Sequence, residues 1–221
     1  MNGTLRKIIE ADLYRYGSGI DRRVLWRTFL REPGFRYSYF LRKCHYYRFR
    51  RGVMNQLRYW SNKWFLRRYS YRYGYNIHDV TQIGAGLYLP HFGGISIHPQ
   101  AVIGSNVNIG PGVNIGQTNR GRKGVPTIGN CVYLGPHAIL VGDIRIGDRA
   151  LIGPGAVVSS DVPAKAVVSG NPGKIVSYFG VKGYIENTVT VDQAVADELA
   201  GKVLQTNRSP SAAEPEREPT A

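Results

Sequence analysis

Residues 76–116 read NIHDVTQIGAGLYLPHFGGISIHPQAVIGSNVNIGPGVNIG, and residues 127–158 read TIGNCVYLGPHAILVGDIRIGDRALIGPGAVV. An aliphatic residue returns at every sixth position, usually followed by Gly or another small or polar residue. One run is Ile77, Ile83, Leu89 and Ile95; a second is Ile97, Ile103, Ile109 and Ile115; a third is Ile128, Leu134, Leu140, Ile146, Ile152 and Val158. A period of six matches neither the 3.6 of a helix nor the 2.0 of a simple strand, so it marks an internal repeat. Each hexad reads as one short flat strand plus a corner, and three hexads as one triangular coil. Stacked coils then pair as parallel sheets along each face of a prism. The aliphatic residue points inward, and the small residue after it permits a tight corner.

The repeat is interrupted twice. Its register slips by two between Ile95 and Ile97, and Gln117 to Thr127 form a polar, Gly-containing insertion between Ile115 and Ile128. Such an insertion must leave the prism as a projecting arm, and loops borne on a rigid scaffold are where sites concentrate.

Working outward, the chain divides into residues 1–75, a basic and aromatic helical region, the repeat domain at 76–180, and a C-terminal extension at 181–221. In the first region Leu5, Ile8, Ile9, Leu13 and Tyr16 fall at helical spacing after Thr4, the expected N-cap. Asp21 precedes a second run at Val24, Leu25, Thr28 and Phe29, which Pro33-Gly34 is expected to end. A third helix is expected from about Arg36, with a stripe of Tyr37, Phe40, Leu41, Cys44 and Tyr47, and a fourth stripe follows at Val53, Leu57, Trp60 and Trp64. In the extension a short amphipathic helix presents Val191, Ala194, Val195, Leu199 and Val203, and the Ser, Pro, Glu and Ala-rich residues beyond Gln205 read as a disordered tail.

The net charge of +14 is placed unevenly. Residues 1–75 hold 18 Lys or Arg against four acids, so this region carries the whole excess. One reading packs its Tyr and Trp onto the prism and leaves Arg solvated. Another gives the region peripheral contact with an anionic membrane surface. No nucleic-acid-binding motif accompanies the charge, so that partner is not expected. Residues 80–119 lack Asp, Glu, Lys and Arg, but Gly, Pro, Asn and Gln break the run well before about 18 apolar residues accumulate. Two cysteines, Cys44 and Cys131, are too few for a disulfide framework, and no signal segment is evident at the N-terminus. The expected location is cytoplasmic, with the inner membrane face as a peripheral site.

Tyr75-Asn76-Ile77-His78, then Gly86-Leu87-Tyr88-Leu89-Pro90-His91-Phe92-Gly93-Gly94-Ile95, the projecting loop, and the closing Ser169-Gly170-Asn171-Pro172-Gly173-Lys174-Ile175-Val176 follow one another along the chain. In these the chain resembles the hexapeptide-repeat acyltransferases, most closely the serine acetyltransferase-like branch that includes capsule and exopolysaccharide O-acetyltransferases. The resemblance implies a mainly β fold, a left-handed parallel β-helix, acting as a homotrimer with acetyl-CoA as acyl donor. It implies that His91 is the general base taking the proton of an acceptor hydroxyl as it attacks the thioester carbonyl. Asn76 stands where serine acetyltransferases carry the aspartate that orients this histidine. The oxyanion would meet backbone N–H groups at a Gly-rich corner around the projecting loop.

The same resemblance places donor contacts at Gly116, Gly135, His137, Gly153, Lys165 and Lys174, and anion contacts for the acceptor at Arg122 and Lys123. Pro90 replaces the family's aspartate before the histidine, and Gly124-Val125-Pro126 replaces its Arg-His-Pro. Those departures, at positions that recognise the amino acid, lead to the expectation of a sugar or glycan acceptor in surface polysaccharide biosynthesis. A divergent serine O-acetyltransferase is the alternative, and a non-catalytic scaffold acting through its basic arm is the alternative of another class. The chain ends in Pro-Thr-Ala rather than the family's terminal isoleucine, so a complex with the sulfhydrylase partner is not expected. His78 and His98 read as solvated corners, His45 as packing and Cys131 as an interior residue; no His, Cys and carboxylate cluster has metal-ligand spacing.

Overall fold

The computed structural model describes residues 3–17, 19–119 and 121–190. Four helices come first: α1 (Gly3–Tyr14), α2 (Arg22–Arg31), α3 (Pro33–Arg48) and α4 (Val53–Tyr73). Fourteen short strands follow and form three faces. The first face holds β1 (Tyr75–Ile77), β3 (Ile95–Ile97), β6 (Asn114–Gly116), β9 (Ile139–Val141) and β12 (Val157–Val158). The second holds β2 (Gln82–Ile83), β4 (Val102–Ile103), β7 (Thr127–Ile128) and β10 (Arg145–Ile146). On the third lie β5 (Asn108–Ile109), β8 (Tyr133–Leu134), β11 (Leu151–Ile152), β13 (Val167–Ser169) and β14 (Lys174–Ser177). All pairings are parallel except that of β14, which turns back along β13.

Each hexad aliphatic is buried, and so, except before Ile95, is the residue two positions before it: Val107 with Ile109, Val113 with Ile115, Val132 with Leu134, Ala138 with Leu140. That pairing explains the slip. Ile95 and Ile97 both point inward from β3. The difference lies in the corner before them, because seven residues separate Leu89 from Ile97 where five separate Ile109 from Ile115.

The open end of a parallel β-helix carries backbone groups that no further coil pairs. The helices satisfy them, which corrects the expectation that Arg stays solvated. Arg42 donates to the carbonyls of Ile83 and Gly84, each at 2.6 Å, and pairs with the buried Asp12 at 2.8 and 3.0 Å. Asp12 also accepts from the N–H groups of Gly86 and Leu87, both at 2.9 Å. Tyr37 Oη donates to the Ile77 carbonyl at 2.9 Å, and Tyr16 Oη lies within 3.2 Å of both backbone groups of Leu89. A second buried carboxylate, Asp79, receives Lys63, Arg48 at 3.2 Å and Tyr59 Oη at 3.1 Å. Burial alone would raise the Asp79 carboxyl, but the Lys63 hydrogen bond and the charges of Lys63 and Arg48 hold it below the usual carboxylate range.

The helix readings are corrected in detail. Asp21 caps α2 through Val24 N–H at 2.8 Å, whereas Thr4 lies inside α1. Pro33 does not merely end a run; it opens α3 at a position whose missing N–H is no loss. In α3 the stripe of Tyr37, Phe40, Leu41 and Cys44 is buried. In α4 the expected stripe faces outward, with Val53, Leu57, Trp60 and Trp64 from 59% to 79% exposed, while Tyr59, Asn62, Leu66 and Tyr73 are buried. The reason is polar: the face that carries Tyr59 and Lys63 is the one that reaches Asp79. No helix among the described residues is long and apolar enough to cross a membrane.

Beyond β14 the chain returns along the third face. Gly180 abuts the Arg149 carbonyl, and Tyr184 packs on Tyr133 with ring centres 5.0 Å apart. Asn108 donates to the Tyr184 carbonyl at 3.1 Å, Arg15 to that of Glu186, and Asn106 exchanges two hydrogen bonds with Val189 at 2.9 and 3.0 Å. The amphipathic helix and tail expected from Val191 onward lie outside the described residues.

Candidate active site

His91 sits in the lengthened corner between the third and first faces, and its side chain is exposed. The corner is held through its backbone. Tyr75 Oη donates to the His91 carbonyl at 3.2 Å, Gly93 N–H to the Tyr73 carbonyl at 2.9 Å, and Gly112 N–H to the Gly93 carbonyl at 2.7 Å. Gly93 and Gly94 close it with φ of 124° and 61°, a region that a residue with a Cβ enters only at a cost of about 1–2 kcal/mol.

Below His91 the same corner position recurs on each coil as Gly94, Gly112, His137 and Gly155, all left-handed, with φ from 59° to 73°. The N–H groups of Gly112, His137 and Gly155 bond to the coil above at 2.7–2.8 Å, so they form one continuous edge. Only His137 bears a side chain there, and its ring lies over Gly112, where a methyl group would strike it. The result is a corner edge below His91 whose left-handed positions carry a single side chain, with Pro111, Pro136 and Pro154 beside them.

Asn76 lies beside this corner on the outer side of β1, in register with Ser96 and, through it, Asn114. Its amide donates to Ser96 Oγ at 3.4 Å, so among the described residues its hydrogen bond runs along the face rather than to His91. Tyr75, which sequence reasoning did not single out, is the residue in contact with the His91 backbone. The only sequence signal for this geometry was the two-residue slip.

Gly135 and Gly153 follow the inward Leu134 and Ile152, and a Cβ on either would come within 2.7 and 3.0 Å of the next coil's backbone. They permit stacking at the head of these corners. Gly116 ends β6 at the opposite edge of the first face. Lys174, exposed, opens β14 opposite Ser169. Lys165 belongs to a different corner altogether, between the second and third faces, below Cys131 and Arg149. Cys131 is corrected with it. It stands three residues after the inward Ile128, at a left-handed corner with φ of 54°, partly exposed rather than interior.

The projecting loop leaves at the corner between the first and second faces and folds down over later coils. Asp143 N–H bonds to the Arg122 carbonyl at 3.0 Å, and the Arg122 guanidinium pairs with Asp161 at 3.0 Å. The backbone N–H of Arg145 and that ion pair hold the Asp161 carboxyl below its ordinary range. Arg122 is thus engaged within the chain, whereas Lys123 is exposed, its backbone N–H bonding to the Gly121 carbonyl at 3.0 Å. His78 and His98 sit on this edge too, each accepting from a backbone N–H two residues on, at 3.4 and 3.2 Å. His45 bonds the Asp79 carbonyl at 2.9 Å. Among the described residues no group of three His, Cys, Asp or Glu could hold a metal ion.

The family model for the bacterial transferase hexapeptide (six repeats) matches residues 126–160. The serine acetyltransferase of Helicobacter pylori is 31% identical over 159 residues, covering 69% of this chain and 86% of that protein. Serine acetyltransferase 4 of Arabidopsis thaliana is 38% identical over 113 residues, 50% of this chain but 32% of the relative, so the chain spans about a third of that protein's length. Among solved structures, a Neisseria gonorrhoeae serine acetyltransferase in complex with serine superposes with a TM-score of 0.63 and 33% identity, over 78% of this chain and 69% of that one. The Brucella abortus strain S19 serine acetyltransferase in complex with coenzyme A gives a TM-score of 0.63 at 27% identity, over 80% and 68%.

These relatives correct the expected acceptor. They are serine acetyltransferases, so Pro90 and Gly124-Val125-Pro126 do not remove the chain from that group, and the sugar or glycan partner and the polysaccharide role are set aside. Three substituted side chains weigh less than the architecture of the whole repeat domain. The chain belongs to the hexapeptide-repeat transferase family, with serine acetyltransferases as its relatives.

Proposed function

We propose that the protein is an acetyl-CoA-dependent serine O-acetyltransferase on a left-handed parallel β-helix, with His91 as general base. The observation that carries the reading is an exposed imidazole, His91, at the head of a corner edge whose left-handed positions are Gly94, Gly112, His137 and Gly155. In this reading the neutral His91 ring accepts the hydroxyl proton as the serine oxygen bonds to the thioester carbonyl carbon. The C–S bond then breaks, and the imidazolium returns its proton to the departing thiolate. The relatives include a structure in complex with coenzyme A and one in complex with serine, which supports this donor and acceptor.

Gly116, Gly135, His137, Gly153 and Lys174 remain the proposed donor contacts, and Asn76, whose amide bonds to Ser96, remains the proposed orienting residue for His91 once substrate is bound. The projecting loop with Lys123 lies across the first face from His91, so a second copy is needed to bring such a loop to the His91 corner; a homotrimer is the proposed assembly. The test is release of the CoA thiol from acetyl-CoA with L-serine by the full chain and by His91→Ala. Serine-dependent turnover that falls about 10²–10⁴-fold in the variant supports the proposal; turnover indifferent to His91 overturns it.

A further inference from the structure

The corner between the second and third faces has the same backbone as the His91 corner and different contents. Its left-handed positions are occupied by Asn106, Cys131, Arg149 and Lys165, with φ from 54° to 60°. Glycine is the low-strain choice at such positions, and Gly86 takes it on the first coil. Three of the four successive coils thus project a cation or a thiol from one edge. The returning segment closes over that edge and adds Lys182, with Phe179 and Ile185 as an apolar wall. Together they line an open cavity of about 550 Å³, the size of a small-molecule site.

The electrostatics are one-sided. Arg149, Lys165 and Lys182 have no acidic partner among the described residues, and no carboxylate lines the cavity. Asp148, next to Arg149 in the chain, does not line the cavity and accepts from Asn130 N–H at 2.6 Å. Three cations lining one cavity, one of them a planar fork, suit a multiply charged phosphate better than a single carboxylate. We propose that this cavity binds the phosphate groups of a small anionic ligand, at a site separate from the corner edge below His91. Lys165 then serves this site rather than the donor site.

Cys131 reports on occupancy because it lines the cavity, while Cys44 is buried, its thiol pushed up to about 12 by burial, and stays unreactive. The full chain is alkylated with iodoacetamide, and modification at each cysteine is read by peptide mass spectrometry while inorganic pyrophosphate is titrated at constant ionic strength. Cys131 is expected to react, and pyrophosphate at ten times its Kd to slow that reaction about tenfold. Arg149→Gln combined with Lys165→Gln should keep Cys131 reactive and lose the protection.

A rate unchanged by millimolar pyrophosphate, or protection that survives in the double variant, overturns the proposal. So does a Cys131 that reacts only after unfolding, which would mean that the cavity is covered. A parallel titration with acetyl-CoA without acceptor distinguishes the source of the phosphate. Protection by pyrophosphate alone supports a separate site; protection by acetyl-CoA that His91-corner variants such as Gly155→Lys abolish would assign the cavity to the donor site and defeat its separateness. Failure of either arm leaves the serine-dependent thiol release by His91 as an independent measurement.

Discussion

Two corners of one prism follow the same backbone rule and come out with opposite surfaces. Where the third face meets the first, the left-handed positions are Gly94, Gly112, His137 and Gly155, and His137 alone among them bears a side chain. Where the second meets the third, they are Gly86, Asn106, Cys131, Arg149 and Lys165, and the edge bristles with side chains. The fold asks only for a left-handed residue at each corner. Which residue pays that strain decides whether a corner is a track for a ligand or a cluster of charges.

The sharpest way to break the comparison is chemical. His91→Ala should remove about 10²–10⁴-fold of turnover and leave the melting temperature unchanged, since the side chain is exposed and the corner is held through its backbone. Thiol release and thermal melting of the same preparation check both halves.

Next comes the helical cap. Asp12→Ala leaves Arg42 buried without its partner and frees the N–H groups of Gly86 and Leu87, at an expected cost of about 3–5 kcal/mol. Because these bonds hold the first coil, on the segment leading into the His91 corner, hydrogen exchange should accelerate over residues 84–94 before it does over 131–150, which belong to later coils. Uniform acceleration would show that the capped first coil, with the His91 corner it carries, opens together with the later coils rather than before them.

Asp79 gives a smaller effect with a pH signature. Its carboxyl is held below the ordinary value of about 4, so the stability it contributes is present above that pH and is lost as pH falls through the depressed folded-state value. Asp79→Asn should therefore be less stable at pH 7 by about 2–3 kcal/mol, discounted because Lys63 and Arg48 are 29% and 36% exposed, and the gap from the parent should narrow toward pH 3. Chemical denaturation at the two pH values measures it.

The smallest effect exchanges the corners' contents. Gly155→Lys places a Cβ at φ of 66° and should cost about 1–2 kcal/mol while raising KM for acetyl-CoA. Lys165→Gly should change stability by less than about 1 kcal/mol, because relief of strain is offset by the greater freedom of glycine in the unfolded chain. Equal and opposite stability changes would mean that unfolded-state entropy plays no part.

The hexads announced the three-faced stack because side-chain size at every sixth position is a local requirement of each coil. The inward positions Ile77, Ile83 and Leu89 needed no tertiary knowledge. The candidate site was half legible: His91 stood out by resemblance, while the slip at Ile95 and Ile97 looked like a fault in the repeat and proved to be a longer corner. Trp60 and Trp64 were misread because a hydrophobic stripe says that a helix face is apolar, not that something covers it. Arg42 was misread because a guanidinium is buried only where carbonyls and a carboxylate await it. The acceptor was misjudged from three positions when similarity over most of the chain pointed elsewhere.

What the sequence by itself determined was the repeat, the inward ladders, the projecting loop and the concentration of charge in residues 1–75. Only the tertiary structure decided which arginines are buried, which face of α4 is open, and that Lys165 and His137 stand on different corners. The physical reason is range. A strand and its corner are set by neighbours a few residues apart, whereas the partner of a charge or of an unpaired carbonyl comes from whichever distant segment the coils bring beside it.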